Sequence, residues 1–150
     1  MQRTKKKVKP AGLLLLMMLL LAGQAKAQDI YGHWKTVDDE TGKAKSIVEI
    51  YQEDGKVYGK IIELLDPSEP NPLCTECGGE LKDSPIIGLQ IIDGLSKDGD
   101  EYNDGRILDP NNGKTYKCYI TLEDDDTLKV RGYVGFSLLG RTQYWIRESR

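Results

Sequence analysis

Two cysteines two residues apart, in the stretch NPLCTECGGE over residues 71–80, are the residues whose types and spacing come nearest to a chemical site. Cysteines at this spacing bind zinc, cycle between thiol and disulfide, or close a disulfide that holds a loop. A third cysteine, Cys118, and a single histidine, His33, are the other residues that could complete such a site. These three roles require different residues near Cys74 and Cys77.

A zinc or redox centre finds little support around the pair. Structural zinc takes four ligands, so the site would have to gather all three cysteines and His33 from distant parts of the chain. A thioredoxin-type site needs its first cysteine at a helix N-terminus, where the helix dipole lowers the thiol pKa. The flanking EPNPL and GGELKDSP are turn formers instead. A cysteine-based metal or redox protein is therefore the third of our hypotheses.

A disulfide is the interpretation that the surrounding sequence favours. The connection over residues 66–84 is rich in proline and glycine, and its 19 residues exceed what compact domains usually tolerate without an anchor. We expect a bond from Cys74 or Cys77 to Cys118 to pin this connection across the mouth of the barrel predicted below. The alternative is a tight ring between Cys74 and Cys77, and it is the sole option if Cys118 lies deep inside.

The calcium-binding and catalytic motifs in the sequence are incomplete. The stretch DGDEYNDG starts like a calcium loop, but Tyr102 occupies a ligand position and Asn103 stands where the turn needs glycine, so we interpret it as Asp-Gly turns. The stretch GFSLLG misses the Gly-x-Ser-x-Gly pattern by one residue. We predict no catalytic residue, no metal and no cofactor, and an enzyme is the less favoured class.

The first 27 residues are typical of a secretory signal peptide. A basic start is followed by an apolar run over residues 13–22 and by the small-x-small site Ala25-Lys26-Ala27. Cleavage after Ala27 predicts an exported protein of the periplasm or the extracellular space, with no transmembrane span in the mature chain. Six of the 21 basic residues lie in this segment, so the formal charge falls from −3 to −9. Nucleic acid is therefore excluded as a partner, and anionic membrane surfaces are unfavourable ones.

Residues 28–150 read as one all-β domain that must position these side chains. Short β-branched and aromatic runs recur between turn residues, which is typical of a meandering antiparallel sheet. The predicted strands cover residues 32–37, 45–53, 56–65, 86–93, 102–108, 114–122, 127–134 and 141–148. Eight such strands predict a small, closed, up-and-down barrel.

Two hairpins can be placed in register from their turns. A two-residue turn at Asp54-Gly55 opposes Tyr51 with Tyr58 and Val48 with Ile61, which puts the aliphatic side chains on the inner face. A turn at residues 124–126 opposes Ile120 with Val130 and Cys118 with Gly132. The second register predicts that the Cys118 side chain lies inside the barrel.

Six stretches in order also resemble one bacterial family. They are GKAKSIVEIY, YGKI, PIIGLQII, GRILDPNNGKTY, LKVRGY and GRTQYW, and together they span nearly all of the mature chain. They are similar to the family catalogued as domain of unknown function 2147. The resemblance implies a small exported protein with a lipocalin-like barrel and no established reaction, and the paired-cysteine loop resembles one branch of that family.

The two ends of the chain resemble lipocalins more widely. Gly32 and Trp34 form a Gly-x-Trp on the first strand, and Arg147 lies near the end of the last. The resemblance implies that Trp34 closes one end of the barrel with Arg147 across its ring, an arrangement that cation–π attraction stabilises. Continuing the even-numbered inner face would turn Arg147 outward, but the loop at residues 135–140 can shift the parity. We therefore expect Trp145 and Arg147 to point in.

Three functions follow, from different classes. The leading hypothesis is a binding module whose lumen takes a small apolar or amphipathic molecule, lined by Val48, Ile50, Ile61, Tyr116, Ile120, Val130 and Trp145. The second is a structural or interaction protein of the cell envelope with a filled barrel, which recognises its partner through outward-facing Tyr51, Tyr58, Tyr119 and Tyr133. The third is the cysteine-based protein above. Cavity volume separates the first two, because ligand sites usually exceed about 300 Å³.

Overall fold

A computed structural model describes residues 28–65, 68 and 70–149. Eight antiparallel strands close into one barrel in which each strand pairs with its sequence neighbours and the first pairs with the last. They are β1 (Gly32–Val37), β2 (Ala44–Glu53), β3 (Lys56–Leu64), β4 (Gln90–Asp98), β5 (Glu101–Asp109), β6 (Lys114–Asp124), β7 (Thr127–Tyr133) and β8 (Gly140–Glu148). The predicted all-β, up-and-down barrel of eight strands is confirmed. The predicted signal segment lies outside the described residues, and no helix within them is long and apolar enough to cross a membrane.

The hairpin between β2 and β3 has the predicted register. Tyr51 opposes Tyr58 and Val48 opposes Ile61. Asp54 and Gly55 have φ angles of 48° and 77°, as a turn with two left-handed residues requires. The local chemistry of one Asp-Gly pair therefore sets the inner face of two strands.

The hairpin between β6 and β7 also follows the prediction. Cys118 opposes Gly132 and Ile120 opposes Val130, although the ladder shifts by one residue near Leu122. Cys118 is 0% exposed. Its side chain is therefore inside the barrel, as the register predicted.

The predicted start of the fourth strand is wrong. Residues 86–89 form a turn that bonds back to β3, through Gly88 N–H to the Ile61 carbonyl and Ile61 N–H to the Leu89 carbonyl. Gly88 has a φ of +95°, which ends the extended run that the apolar residues suggested. The strand begins at Gln90 instead and continues through Gly94, where a φ of +71° bends it without ending it.

A bulge replaces one of the predicted Asp-Gly turns. Asp104 has a φ of +60° within β5, and the pairing with β6 shifts between Tyr102 and Gly105. The chain therefore bends at Asp104-Gly105 and continues as strand. Residues 99–100 alone make the turn between β4 and β5.

An up-and-down barrel gathers alternate connections at opposite ends. The chain start, the turns at residues 54–55, 99–100 and 125–126, and the end of β8 lie at one end, here called the closed end. The other end, here called the loop end, carries the connections over residues 38–43, 65–89, 110–113 and 134–139. Buried aliphatic and aromatic side chains form one continuous core between them.

Candidate functional site

The closed end is sealed around a buried tryptophan. Trp34 is 0% exposed and its indole N–H donates to the carbonyl of Ile30 at 2.8 Å. The guanidinium carbon of Arg147 lies 4.2 Å from the centre of the indole ring. Gly32 has a φ of +116°, and a Cβ there would lie 3.9 Å from the Arg147 guanidinium. These are the three residues for which the sequence predicted a closing role.

Arg147 also ties three segments together. Its guanidinium donates to the carbonyls of Asp29, Tyr31 and Asp125 at 2.8, 3.2 and 2.7 Å. Trp145, two residues earlier, is 1% exposed and opposes Leu128 of β7. Trp145 and Arg147 therefore share the inner face of β8, which is the parity we expected.

The predicted lumen residues fill the space they surround. Six of the seven are at most 4% exposed, and they are Val48, Ile50, Ile61, Ile120, Val130 and Trp145. Bulk solvent therefore scarcely reaches these side chains. The structure brings these six together as a packed core, and a ligand could enter among them only by displacing them.

The space beside the inner-face glycines is also filled, by side chains of neighbouring strands. A Cβ on Gly59 would lie 3.1 Å from Ile92, and a Cβ on Gly105 would lie 2.8 Å from the Leu95 side chain. Ile92 and Leu95 are both 0% exposed. Glycine at these positions makes room for aliphatic side chains across the barrel, so it leaves no pocket there.

The seventh predicted lumen residue, Tyr116, lies where the packed core becomes accessible to solvent. Tyr116 opposes Ile107 on β5, and both are half-buried. A Cβ on Gly132 would lie 3.2 Å from Ile107 and 3.6 Å from Tyr116, so the three share one inner surface. We call Ile107, Tyr116 and Gly132 the mouth shelf. It is an apolar surface that solvent reaches at the loop end.

Polar side chains lie at the same end of the barrel as the shelf, where Arg141 opposes Gly132. Asp39, in the connection between β1 and β2, accepts hydrogen bonds from the Arg141 guanidinium on β8, with the Nε contact at 2.7 Å. These bonds hold the pKa of the Asp39 carboxyl below its usual range and raise the pKa of Arg141. Gln143 accepts the indole N–H of Trp145 at 3.0 Å. Asp39 and Arg141 are therefore already paired with each other at this end of the barrel.

The connection between β7 and β8 was not identified as a site from the sequence. Residues 134–139, here called the apolar loop, expose Val134, Phe136, Leu138 and Leu139 by 61, 61, 82 and 60%. The signal was present in GFSLLG, which we compared with a serine motif and not with a hydrophobic tip. The apolar loop and the mouth shelf lie at the same end of the barrel, because Gly132 is two residues before Val134 on the same hairpin.

The predicted disulfide to Cys118 is wrong. Cys74 bonds to Cys77, and Cys118 is a free thiol buried on the inner face of the barrel. Burial raises the pKa of the Cys118 thiol to about 12, so it stays protonated. The tight ring packs against the turn at residues 110–113, where the Cys74 sulfur is 3.7 Å from the carbonyl oxygen of Pro110.

Two depressions lie on the outer wall, next to the segment that leads into β4. Their volumes are about 370 and 360 Å³, and both include Leu81 and Gln90 in their walls. The second is also lined by exposed Asp93 and Arg106. Neither is lined by a predicted lumen residue. Within the described part of the chain, no group of three or more His, Cys, Asp or Glu is placed to hold a metal ion.

The four tyrosines proposed for partner recognition form two pairs. The rings of Tyr51 and Tyr58 stack with centroids 5.9 Å apart, and Lys60 lies over the Tyr51 ring. The rings of Tyr119 and Tyr133 lie 6.2 Å apart and are tilted by 55°. Each pair spans two neighbouring strands, so the stacking contributes to strand pairing.

The closed eight-stranded barrel with its sealed tryptophan end defines a lipocalin-like fold. The chain belongs to the bacterial family described as "Uncharacterized protein conserved in bacteria (DUF2147)", which matches residues 32–147. A solved structure, protein HP1028 of Helicobacter pylori, described as belonging to the lipocalin family, superposes with a TM-score of 0.71. At 22% identity over 81% of this chain and 84% of that chain, the likeness concerns the fold alone. No curated protein matches the chain by sequence.

Proposed function

We propose that the protein is an exported, non-catalytic binding module that takes a small apolar or amphipathic molecule at the loop end of its barrel. The observation that carries this proposal is the contrast between the two halves of the barrel. Below the mouth shelf the side chains are fully packed, and at the loop end apolar side chains stand open to solvent. A ligand site needs accessible apolar surface with a few polar groups beside it, and the loop end offers both.

The polar rim suits the head of an amphipathic molecule better than a bare charge. Arg141 is held by Asp39, so an anionic head would have to compete with a carboxylate for the guanidinium. The Tyr116 hydroxyl accepts from the Asn112 amide at 3.1 Å and keeps its own proton to donate. An uncharged or zwitterionic head group therefore fits the rim better than a free carboxylate does.

A displacement assay with native mass spectrometry tests the proposal. A fluorescent, uncharged lipid analogue at a concentration below its aggregation point should bind the wild-type protein. Tyr116→Ser should weaken binding by about tenfold, since it removes the one aromatic ring of the mouth shelf. Tyr119→Ser, on the outer face of the same strand, is the matched control and should bind like wild type. Absence of any bound molecule in both measurements would contradict the proposal.

The second candidate is the envelope interaction protein with a filled barrel. The specific observation in its favour is the packed lower lumen, which leaves less room than a deep ligand cavity requires. Its recognition surface would be the tyrosine pairs on the outer wall. The two candidates separate in one experiment, because Tyr51→Ser with Tyr133→Ser should abolish capture of an envelope partner while leaving lipid-analogue binding unchanged.

A further inference from the structure

The apolar loop presents a hydrophobic tip with no counterpart surface in the described chain. Four of its six residues are large and apolar, and each is at least 60% exposed. Monomeric proteins rarely leave such side chains together at one point, and contiguous apolar patches mark interaction sites. The tip is therefore a surface that requires an apolar partner.

Two basic side chains hold the backbone of the loop from below. The Arg131 guanidinium donates to the carbonyls of Ser137 at 2.7 Å and Leu138 at 3.4 Å. The Lys117 amino group donates to the carbonyl of Gly135 at 3.2 Å. Both side chains start on neighbouring strands of the barrel wall. They fix the loop to a rigid base and satisfy three of its carbonyls.

The loop also bonds within itself. The Val134 N–H donates to the Leu139 carbonyl at 2.9 Å, and the Leu139 N–H donates to the Phe136 carbonyl at 3.1 Å. Gly135 has a φ of +71°, which lets the chain turn back this tightly. An apolar medium offers no hydrogen bonds, so a segment enters it readily when its backbone groups are already paired. The apolar loop meets that condition at five of its six carbonyls and at the N–H groups of Val134 and Leu139.

The size of the tip indicates its partner. Four exposed side chains amount to a few hundred Å², well below the roughly 800 Å² that each protein contributes to a stable interface. A bilayer surface needs no matching shape, so a small patch is sufficient for reversible binding. Arg141 is paired with the Asp39 carboxylate, whereas Arg131 and Lys117 donate to neutral loop carbonyls and keep their charge. Residues 28–150 carry a formal charge of −9 as a whole, so attraction to anionic head groups is not the driving term.

We propose that residues 134–139 insert into the surface of a lipid bilayer and hold the loop end of the barrel against it. The inference rests on the proposed function, since it names a bilayer as the source of the amphipathic molecule that reaches the mouth shelf. Insertion would place the shelf at the membrane interface, where a lipid needs to move only a short distance. The Asp39–Arg141 pair at the rim should then face the head groups.

The test uses protein expressed with its own signal segment and purified as the cell processes it. Leu138→Trp places an indole at the most exposed position of the tip, whereas Trp34 and Trp145 are buried and report little change. Addition of phosphatidylcholine vesicles should shift the new emission to the blue, and brominated lipids should quench it. Binding should persist at high salt, because apolar insertion and not charge drives it.

Sedimentation with the same vesicles measures the strength of binding. The pair of changes Phe136→Ser and Leu138→Ser should lower the partition coefficient by about tenfold or more. Tyr144→Ser and Ile146→Ser, at positions 50 and 42% exposed on β8, remove similar side chains from the outer wall and should leave binding unchanged. Unfolding curves of both double variants show whether the barrel is intact.

Other outcomes overturn the inference in distinguishable ways. If the protein binds the monomeric lipid analogue but not vesicles, the proposed function stands and the bilayer inference is wrong. If neither binds, both are wrong. If vesicles do not bind and analytical ultracentrifugation shows a dimer that the Phe136/Leu138 double variant abolishes, the tip is a contact between two copies of the chain.

Discussion

Replacing Arg147 should loosen the closed end by an amount that its contacts allow us to estimate. Arg147→Met keeps most of the aliphatic stem but loses the charge over Trp34 and the bonds to three carbonyls. A cation–π contact contributes about 0.5–2 kcal/mol and each hydrogen bond about 0.5–1.5 kcal/mol. Solvent replaces part of the bonding, since Arg147 is only half-buried. We therefore expect a loss of about 3 kcal/mol in the free energy of unfolding.

Urea unfolding followed by tryptophan fluorescence measures this loss, because Trp34 and Trp145 are both buried in the folded state. Arg147→Lys keeps the charge but bonds fewer carbonyls at once, so its loss should be about half as large. Arg106→Met, at an exposed position of the outer wall, is the control and should change stability by less than about 0.5 kcal/mol. A value for Arg147→Met within that same margin would refute the assignment of Arg147 as the residue that seals the closed end.

Three further predictions follow from buried or paired groups. Burial raises the pKa of the Cys118 thiol to about 12, so Cys118 should resist Ellman's reagent at pH 8 in the folded protein. After unfolding it should react as one thiol per chain. Rapid labelling of the native state would contradict its burial. Gly105→Ala should cost about 1–3 kcal/mol, because the added Cβ would lie 2.6 Å from the Asp93 carbonyl, whereas Gly78→Ala, with open space around it, should be nearly neutral in the same unfolding assay. Asp39→Asn should cost about 1 kcal/mol or less near pH 7, since the pair with Arg141 is partly exposed. Because the pKa of Asp39 is lower in the folded protein than in the unfolded chain, where it is about 3.9, Asp39 stabilises the fold at pH values above the unfolded-state pKa. This stabilisation is lost as the pH falls through the folded-state pKa, so the stabilities of wild type and variant should converge in acid unfolding.

The parts of the fold that the sequence predicted correctly depend on the local preferences of a few residues. Asp54-Gly55 favours a two-residue hairpin turn, and the alternation of side chains then places Val48 and Ile61 inside. The start of β4 was missed because it depends on Gly88 bonding back to Ile61, a contact between distant residues. The residues around Gly88 are apolar enough to look like strand, and nothing in their own pattern shows that the strand begins later.

The site was predicted less well than the fold, for two physical reasons. The choice of cysteine partner depends on the depth of Cys118 relative to a loop on the outer wall, and a strand register gives the face of a side chain but not its distance from another segment. The lumen residues were placed correctly on the inner face, yet inward direction does not distinguish a packed core from a cavity. Glycines such as Gly59 and Gly105 let opposing side chains approach, and their effect on volume is known only from the assembled barrel.

Because β1 pairs with β8, the strands form a closed ring, and the barrel could be built from a chain that starts at a different strand. His33 opposes Glu148, so the two ends of the folded domain lie side by side at the closed end. A circular permutant that joins these ends by a short linker and opens the chain between Asp54 and Gly55 would keep every connection at the loop end. Such a chain should fold to the same barrel and bind vesicles as the natural chain does. The closed ring of strands would then allow a reporter to be fused at the closed end, where it would not obstruct the apolar loop.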